Sequence, residues 1–215
     1  MNRPLLNAAK FVRSELRAMR LQIQSIGKPY RHVASYEYLI RPYILQTSTS
    51  SIALDLGCGR YPKNPFFAKE LRGIDSREDL GSAIYSADLA MDKIPFEDNT
   101  FDYCTAFDFI EHIPRSIVIH QYKTLCPFIE LMNEIHRVLR PGGLFLHQTP
   151  AFPSPEAFQD PTHVNYITEN TFPDYFCRPK AWAHSHGYGF RGAFELLDQA
   201  WLDRAWLVGL MRCIK

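Results

Sequence analysis

The sequence predicts an α/β protein built on a doubly wound, mostly parallel sheet. Three observations carry that prediction. The run Leu54-Asp55-Leu56-Gly57-Cys58-Gly59 is a short apolar strand that breaks at once into a Gly-x-Gly turn. Leu71-Arg72-Gly73-Ile74-Asp75 is a second short strand that ends in an acid. A helical segment from about Phe128 to Leu139 leads through Arg140-Pro141-Gly142-Gly143 into the apolar run Leu144–Thr149. Short strands alternating with helical stretches are the pattern of a parallel sheet with crossover connections.

The glycine turn comes first because glycine permits backbone angles and ligand approach that a Cβ forbids. In open α/β sheets ligands sit at the carboxyl ends of the strands, where this turn falls. The dinucleotide fingerprint needs a third glycine three residues after the second, and Pro62 stands there instead. Asp55, inside the strand, repels phosphate. It suits a cationic or zwitterionic ligand such as S-adenosylmethionine. Asp75 lies sixteen residues beyond Gly59, where a carboxylate accepts both ribose hydroxyls.

Further along come Ser86-Ala87-Asp88-Leu89, then Asn99–Phe107 as a turn entering an apolar strand, then the helix that closes on a basic residue and Pro-Gly-Gly. Thr168 reads as a cap opening a helix of about ten residues from Glu169. Ala193–Asp198 and Trp206–Ile214 read as the last two strands.

In this order the segments LDLGCG, GID, ADL, PFEDNTFDYCTAFDFIEHI and EIHRVLRPGGLF resemble the class I S-adenosylmethionine-dependent methyltransferases, with a methyltransferase type 11-like domain, from about Ile52 to Phe172. The resemblance implies a Rossmann-like seven-stranded sheet with an antiparallel last strand and helices on both faces. It implies a methyltransferase domain over residues 51–215, behind a helical appendage and linker at 1–50. It also implies S-adenosyl-L-methionine as cofactor. Asp55, Gly57 and Gly59 would surround its methionine part, with Cys58 in the same loop. Asp75 would hold the ribose, Asp88 would face the adenine amine with Leu89 beside the ring, and Phe107 would line the cleft. Tyr61 stands where many members place another glycine. Pro62 and Pro65 follow, so the first helix is expected late, capped by Asn64 with Pro65 at its first position.

Two constellations fit the chemistry. Acid-x-x-Glu-His runs like Asp108-Phe109-Ile110-Glu111-His112 bind a divalent cation in the ubiquinone-pathway O-methyltransferases and the small-RNA 2′-O-methyltransferases, with Glu where this chain has Asp108. His163 is the candidate fourth ligand, and such a mixed set suits Mn²⁺ or Zn²⁺ better than Mg²⁺. The metal-free reading, preferred here, makes His163 or His112 a general base. In a third reading Glu111 and His112 only wall the pocket. The His184/His186 pair has nothing nearby to complete a metal site and reads as a solvated loop.

The favoured function is O-methylation of a hydroxyl on a small molecule or glycan. Phe152, Phe158, Tyr166 and Phe172 are the expected stacking aromatics, next to the Asp160-Pro161-Thr162-His163 loop. That loop resembles a segment of methyltransferases encoded among sugar and surface-polysaccharide genes. An RNA 2′-O-methyltransferase and a non-catalytic cofactor-binding protein are the alternatives. Net charge is +1, but residues 1–32 hold seven basic residues and one acid, which leaves the rest at −5 and counts against nucleic acid. Apolar residues from Leu5 to Ile23 recur at helical spacing. This basic amphipathic helix, about Pro4 to Ser25, is expected to cap the core. A membrane-surface or partner patch and an organelle transit segment are its other readings. No apolar run spans a bilayer. Five scattered cysteines with no secretory leader predict free thiols in a reducing, cytoplasmic compartment.

Overall fold

The computed structural model describes residues 31–215 apart from 45–47, 79, 82 and 122; the expected basic helix at 4–25 lies outside the described residues. The elements in chain order are β1 (His32–Val33), α1 (Glu37–Ile44), β2 (Ile52–Leu56), β3 (Glu70–Asp75), β4 (Ile84–Ser86), β5 (Phe101–Phe107), a 3₁₀ turn (Ile110–His112), and the hairpin strands β6 (Ile117–His120) and β7 (Lys123–Leu125). After them come α2 (Pro127–Val138), β8 (Leu139–Pro150), the short helices α3 (Glu156–Gln159), α4 (Thr171–Tyr175) and α5 (Trp182–Ser185), and finally β9 (Ala193–Leu202) and β10 (Trp206–Ile214).

The main sheet runs β1-β9-β10-β8-β5-β2-β3-β4. β10 is antiparallel to both neighbours, and every other pairing is parallel. The antiparallel last strand is as the sequence predicts. The count is eight rather than seven, because His32 and Val33 pair with Trp201 and Leu202 and extend the β9 edge. The chain winds outward from β2 toward β4 in one direction and from β5 toward β9 in the other. The switch point therefore falls between β2 and β5, and the crevice at their carboxyl ends is where ligands of such sheets bind.

Alternation along the strands sorts the core into two faces. Leu54, Leu56, Cys104, Ala106 and Phe145 pack on one face beneath Leu131, Met132, Ile135 and Val138 of α2. Ala53, Tyr103, Leu144, Leu146, Val208 and Leu210 pack on the other beneath Leu39 and Ile40 of α1. Phe128, Leu131, Met132 and Ile135 form the i, i+3, i+4, i+7 stripe that a core-facing helix requires. Through β1 and α1, residues expected in the amino-terminal appendage join the sheet and its core.

Two expected helices are corrected. Around Asn64 the chain forms a turn, with the Asn64 amide donating to the Ala68 carbonyl at 2.8 Å and accepting from the Ala68 N–H at 2.9 Å. A side chain that satisfies both backbone groups removes the incentive to wind a helix, and Pro62 and Pro65 withhold donors. The helix expected from Glu169 has five residues rather than ten. Ahead of it the Thr171 hydroxyl accepts the Thr168 N–H and the Thr168 hydroxyl accepts the Asn170 N–H, and Pro179 follows closely after it.

Candidate active site

β2 delivers Asp55 to the crevice. The carboxylate is 2% exposed and accepts two hydrogen bonds, from the Lys63 backbone N–H at 2.7 Å and the Thr105 hydroxyl at 2.6 Å. Thr105 is its partner across the β2–β5 register, so the sheet itself places this donor. Burial pushes Asp55 up to about 6 despite both bonds. The nearby Lys63 charge offsets that burial only in part.

Gly57 and Gly59 both have positive φ, 62° and 60°. A Cβ on Gly57 would sit 2.3 Å from the Phe109 ring, so the turn closes tightly under that side chain. The Gly59 N–H donates to Asp75 at 2.8 Å, which ties the glycine turn to the tip of β3. Arg77 forks the same carboxylate, its Nε on one oxygen at 2.7 Å and its Nη2 on the other at 3.1 Å. The Arg77 guanidinium holds Asp75 below the usual carboxylate range. Cys58 turns its thiol toward Gly73, and burial pushes it up to about 12, well away from thiolate chemistry at neutral pH.

The Asp88 carboxylate is exposed and accepts the Ala90 N–H at 3.0 Å, capping its own turn, while Leu89 is buried. Phe107, at the end of β5, lies against Tyr36, with ring centroids 5.1 Å apart, and under the Lys63 ammonium at 4.4 Å. Tyr36, Lys63 and Thr105 are contributors that the sequence motifs do not reveal. Only the β2–β5 register and the packing of α1 bring them here.

Beyond β5 a second group assembles. Glu111, His112 and His163 place ligand-capable atoms within 4.8 Å of one another, drawing on the 3₁₀ turn and on the loop after β8. The Val164 and Asn165 N–H groups both donate to the Glu111 carbonyl at 2.9 Å, and this strap brings His163 in. Glu111 is 1% exposed, accepts the Thr149 hydroxyl at 2.9 Å, and is pushed up to about 7, mainly by burial. The His112 and His163 rings meet edge-on at 4.9 Å. His163 Nδ1 is buried with no hydrogen-bond partner, while its Nε2 lies 3.9 Å from Asp160.

Asp108, the fourth expected metal ligand, does not join this group. Its carboxylate accepts the Trp206 indole N–H at 2.7 Å, and its positive φ of 50° turns it out of line with Glu111. Phe172 is corrected too. It is fully buried and stacks on His147 at 3.8 Å. Phe152, Phe158 and Tyr166 do form an exposed aromatic patch, with Phe158 and Tyr166 stacked at 5.0 Å. His184 and His186 are exposed.

A sheet of this order, with a glycine turn after β2 and acids on β2 and β3, is a fold shared with solved methyltransferases. Residues 54–147 match the sequence model of a family described as a methyltransferase domain. No curated protein matches. Among solved structures, an S-adenosylmethionine-dependent methyltransferase from Aquifex aeolicus is similar at 12% identity and a TM-score of 0.53, covering 84% of this chain and 90% of its own. A putative methyltransferase from Bacillus halodurans is similar at 14% identity and a TM-score of 0.53, covering 85% and 100%. The [4+2]-cyclase SpnF is similar at 14% identity and a TM-score of 0.54, covering 83% and 79%. At these identities the likeness is one of fold, and SpnF illustrates that this fold hosts more than one chemistry.

Proposed function

We propose that this chain transfers a methyl group from S-adenosylmethionine to a hydroxyl of a small molecule or glycan. The observation that carries the reading is the Glu111–His112–His163 group, in which a buried imidazole nitrogen has no partner. An unpartnered buried donor or acceptor costs free energy, and one that faces other ligand-capable side chains is a candidate for completion by a substrate.

The cleft fits the cofactor by its donor set. Asp55 is a buried acid that Lys63 offsets only in part, a methionine ammonium would add positive charge there, and Gly57 and Gly59 keep side chains out of the turn. Asp75, Asp88, Leu89 and Phe107 are the residues that would hold the nucleoside. Arg77 is mostly exposed, so its ion pair with Asp75 is easily exchanged for ribose hydroxyls. When bound, the cofactor supplies a methyl group on a sulfonium, an electrophile with a good leaving group already in place.

The protein's task is then to orient the hydroxyl and remove its proton. An imidazole is the usual proton acceptor at neutral pH. We assign the base to His163 because its Nδ1 is uncommitted, whereas Glu111 is engaged by Thr149 and His112 by Thr162. Glu111, pushed up to about 7, borders the group in a partly protonated state at neutral pH and limits the negative charge beside the base. The exposed aromatic patch of Phe152, Phe158 and Tyr166 supports a sugar acceptor, whose apolar face stacks on rings.

The test is transfer of labelled methyl from S-adenosylmethionine to hydroxyl compounds and oligosaccharides. Label retained as an alkali-stable ether supports the proposal. Label found only on nitrogen or in alkali-labile esters, or no transfer by protein that binds the cofactor, contradicts it.

A further inference from the structure

A cavity of about 530 Å³ lies beside the catalytic group, at the amino-terminal end of α2. That size is typical of pockets for small ligands. Because α2 runs back against the strands, its first residues stand at the same carboxyl edge of the sheet as Glu111. The floor is apolar, made by Phe128 and Phe176, whose rings meet at 5.3 Å, with Ile129 beside them. Tyr175 and Tyr188 stack at 6.4 Å along the wall and are both partly exposed. The one charged lining residue is Arg115.

Arg115 donates to the Asn165 side-chain oxygen at 2.9 Å and to the Tyr166 carbonyl, both neutral acceptors. No carboxylate pairs with it among the described residues. A guanidinium carries five N–H donors, and those two bonds account for two. A cation facing an apolar cavity without a counter-ion is a receptor for an anion that brings an apolar body with it.

The cavity is also wired to the catalytic group. Asn165, which receives Arg115, donates its own N–H to the Glu111 carbonyl at 2.9 Å and its side-chain amide to the Ile110 carbonyl at 3.2 Å. We propose that this cavity is a subsite of the methyl acceptor. It would take an aliphatic or aromatic portion bearing a carboxylate or phosphate that pairs with Arg115. The proposal rests on the methyltransferase reading above.

Calorimetric titration of the full chain with decanoate, decyl phosphate and decanol tests it, alongside S-adenosylhomocysteine as a separate ligand. Binding of decanoate or decyl phosphate at least tenfold tighter than decanol is expected, and the tighter of the two anions identifies the headgroup. Arg115→Gln should erase the preference for the anion over decanol. Ile129→Trp, which fills the cavity, should weaken all three at least tenfold. Both variants should bind S-adenosylhomocysteine as the wild type does, which also reports that they fold. Bound decanoate should shift the imidazole NMR signals of His163 and His112.

The subsite is overturned by wild type that takes none of the three probes, by decanol binding as well as the anions, by Ile129→Trp binding like wild type, or by unmoved histidine signals. Binding of S-adenosylhomocysteine in any of these cases would leave the methyltransferase reading standing. An alkyl anion bound by protein that refuses S-adenosylhomocysteine would sink both together.

Discussion

Asp55 and Glu111 are both carboxylates buried at one edge of the same sheet, and burial raises both, to about 6 and about 7. Their surroundings are built differently. Asp55 sits inside a strand. Its partners come from the adjacent strand, 50 residues away, and from a turn eight residues on, so strand pairing and a nearby turn complete it. Glu111 sits on a single 3₁₀ turn. It is completed by Thr149, 38 residues away, and its main chain is strapped by the Val164–Asn165 segment that presents His163. One half of the site is fixed by the sheet and the other is assembled by a loop. The first suits a constant ligand such as a cofactor, and the second suits an acceptor that differs from one relative to the next.

The largest expected break falls on the loop-assembled half. His163→Ala should lower kcat for methyl transfer by about 10²–10⁴-fold, the usual contribution of a positioned base. Affinity for S-adenosylhomocysteine should stay unchanged. Single-turnover kinetics alongside calorimetry separate the two effects, and an undiminished kcat would remove His163 from the role of base.

Next in size is a stability effect with a definite sign. Both acids titrate above their ordinary values of 3.8 and 4.5 in the folded protein. The stability each contributes is fully present below its unfolded pKa. It is lost as pH rises through the folded pKa. Wild type should therefore lose stability between about pH 4.5 and 7, reaching the few-kcal/mol scale that shifts of this size allow. Glu111→Gln should flatten much of that slope in urea denaturation at pH 5, 6, 7 and 8. An identical slope in the variant would mean that Glu111 is not held raised.

On the sheet-fixed half, Asp55→Asn should weaken S-adenosylhomocysteine about tenfold, near 1.4 kcal/mol, by removing the counter-charge to the amino-acid tail. The smallest effect is expected from Arg77→Gln, which frees Asp75 from its fork. Exposed pairs are worth under about 1 kcal/mol, so affinity should tighten by roughly two- to fivefold. Weaker binding in this variant would mean that Arg77 holds the ligand instead of competing with it.

The same contrast explains what the sequence made legible. The glycine turn, the acids on β2 and β3 and helix α2 follow from local pattern, the antiparallel final strand follows from the family resemblance, and the structure has all of them. The Asn64 helix fails because the Asn64 side chain satisfies both backbone groups of Ala68, and the helix expected from Glu169 stops at Tyr175, four residues before Pro179. The eighth strand is two residues paired to a partner about 170 positions away, which no local period signals. Asp108 reads as a ligand from spacing alone. Its positive φ and the indole of Trp206, reached across 98 residues, take it elsewhere. The cavity behind Arg115 draws its walls from four separate segments, and pattern reading had no means to join them.

The central claim is that the Gly57–Gly59 turn with Asp55 and Asp75 forms a working cofactor cleft, even though Tyr61 and the two prolines replace the expected helix start. Titration of S-adenosylhomocysteine into the full chain by calorimetry tests it most directly. One-to-one binding in the micromolar range, weakened by Asp55→Asn, is the predicted result. No heat of binding at millimolar ligand would contradict the claim and leave a methyltransferase fold whose cleft takes no cofactor.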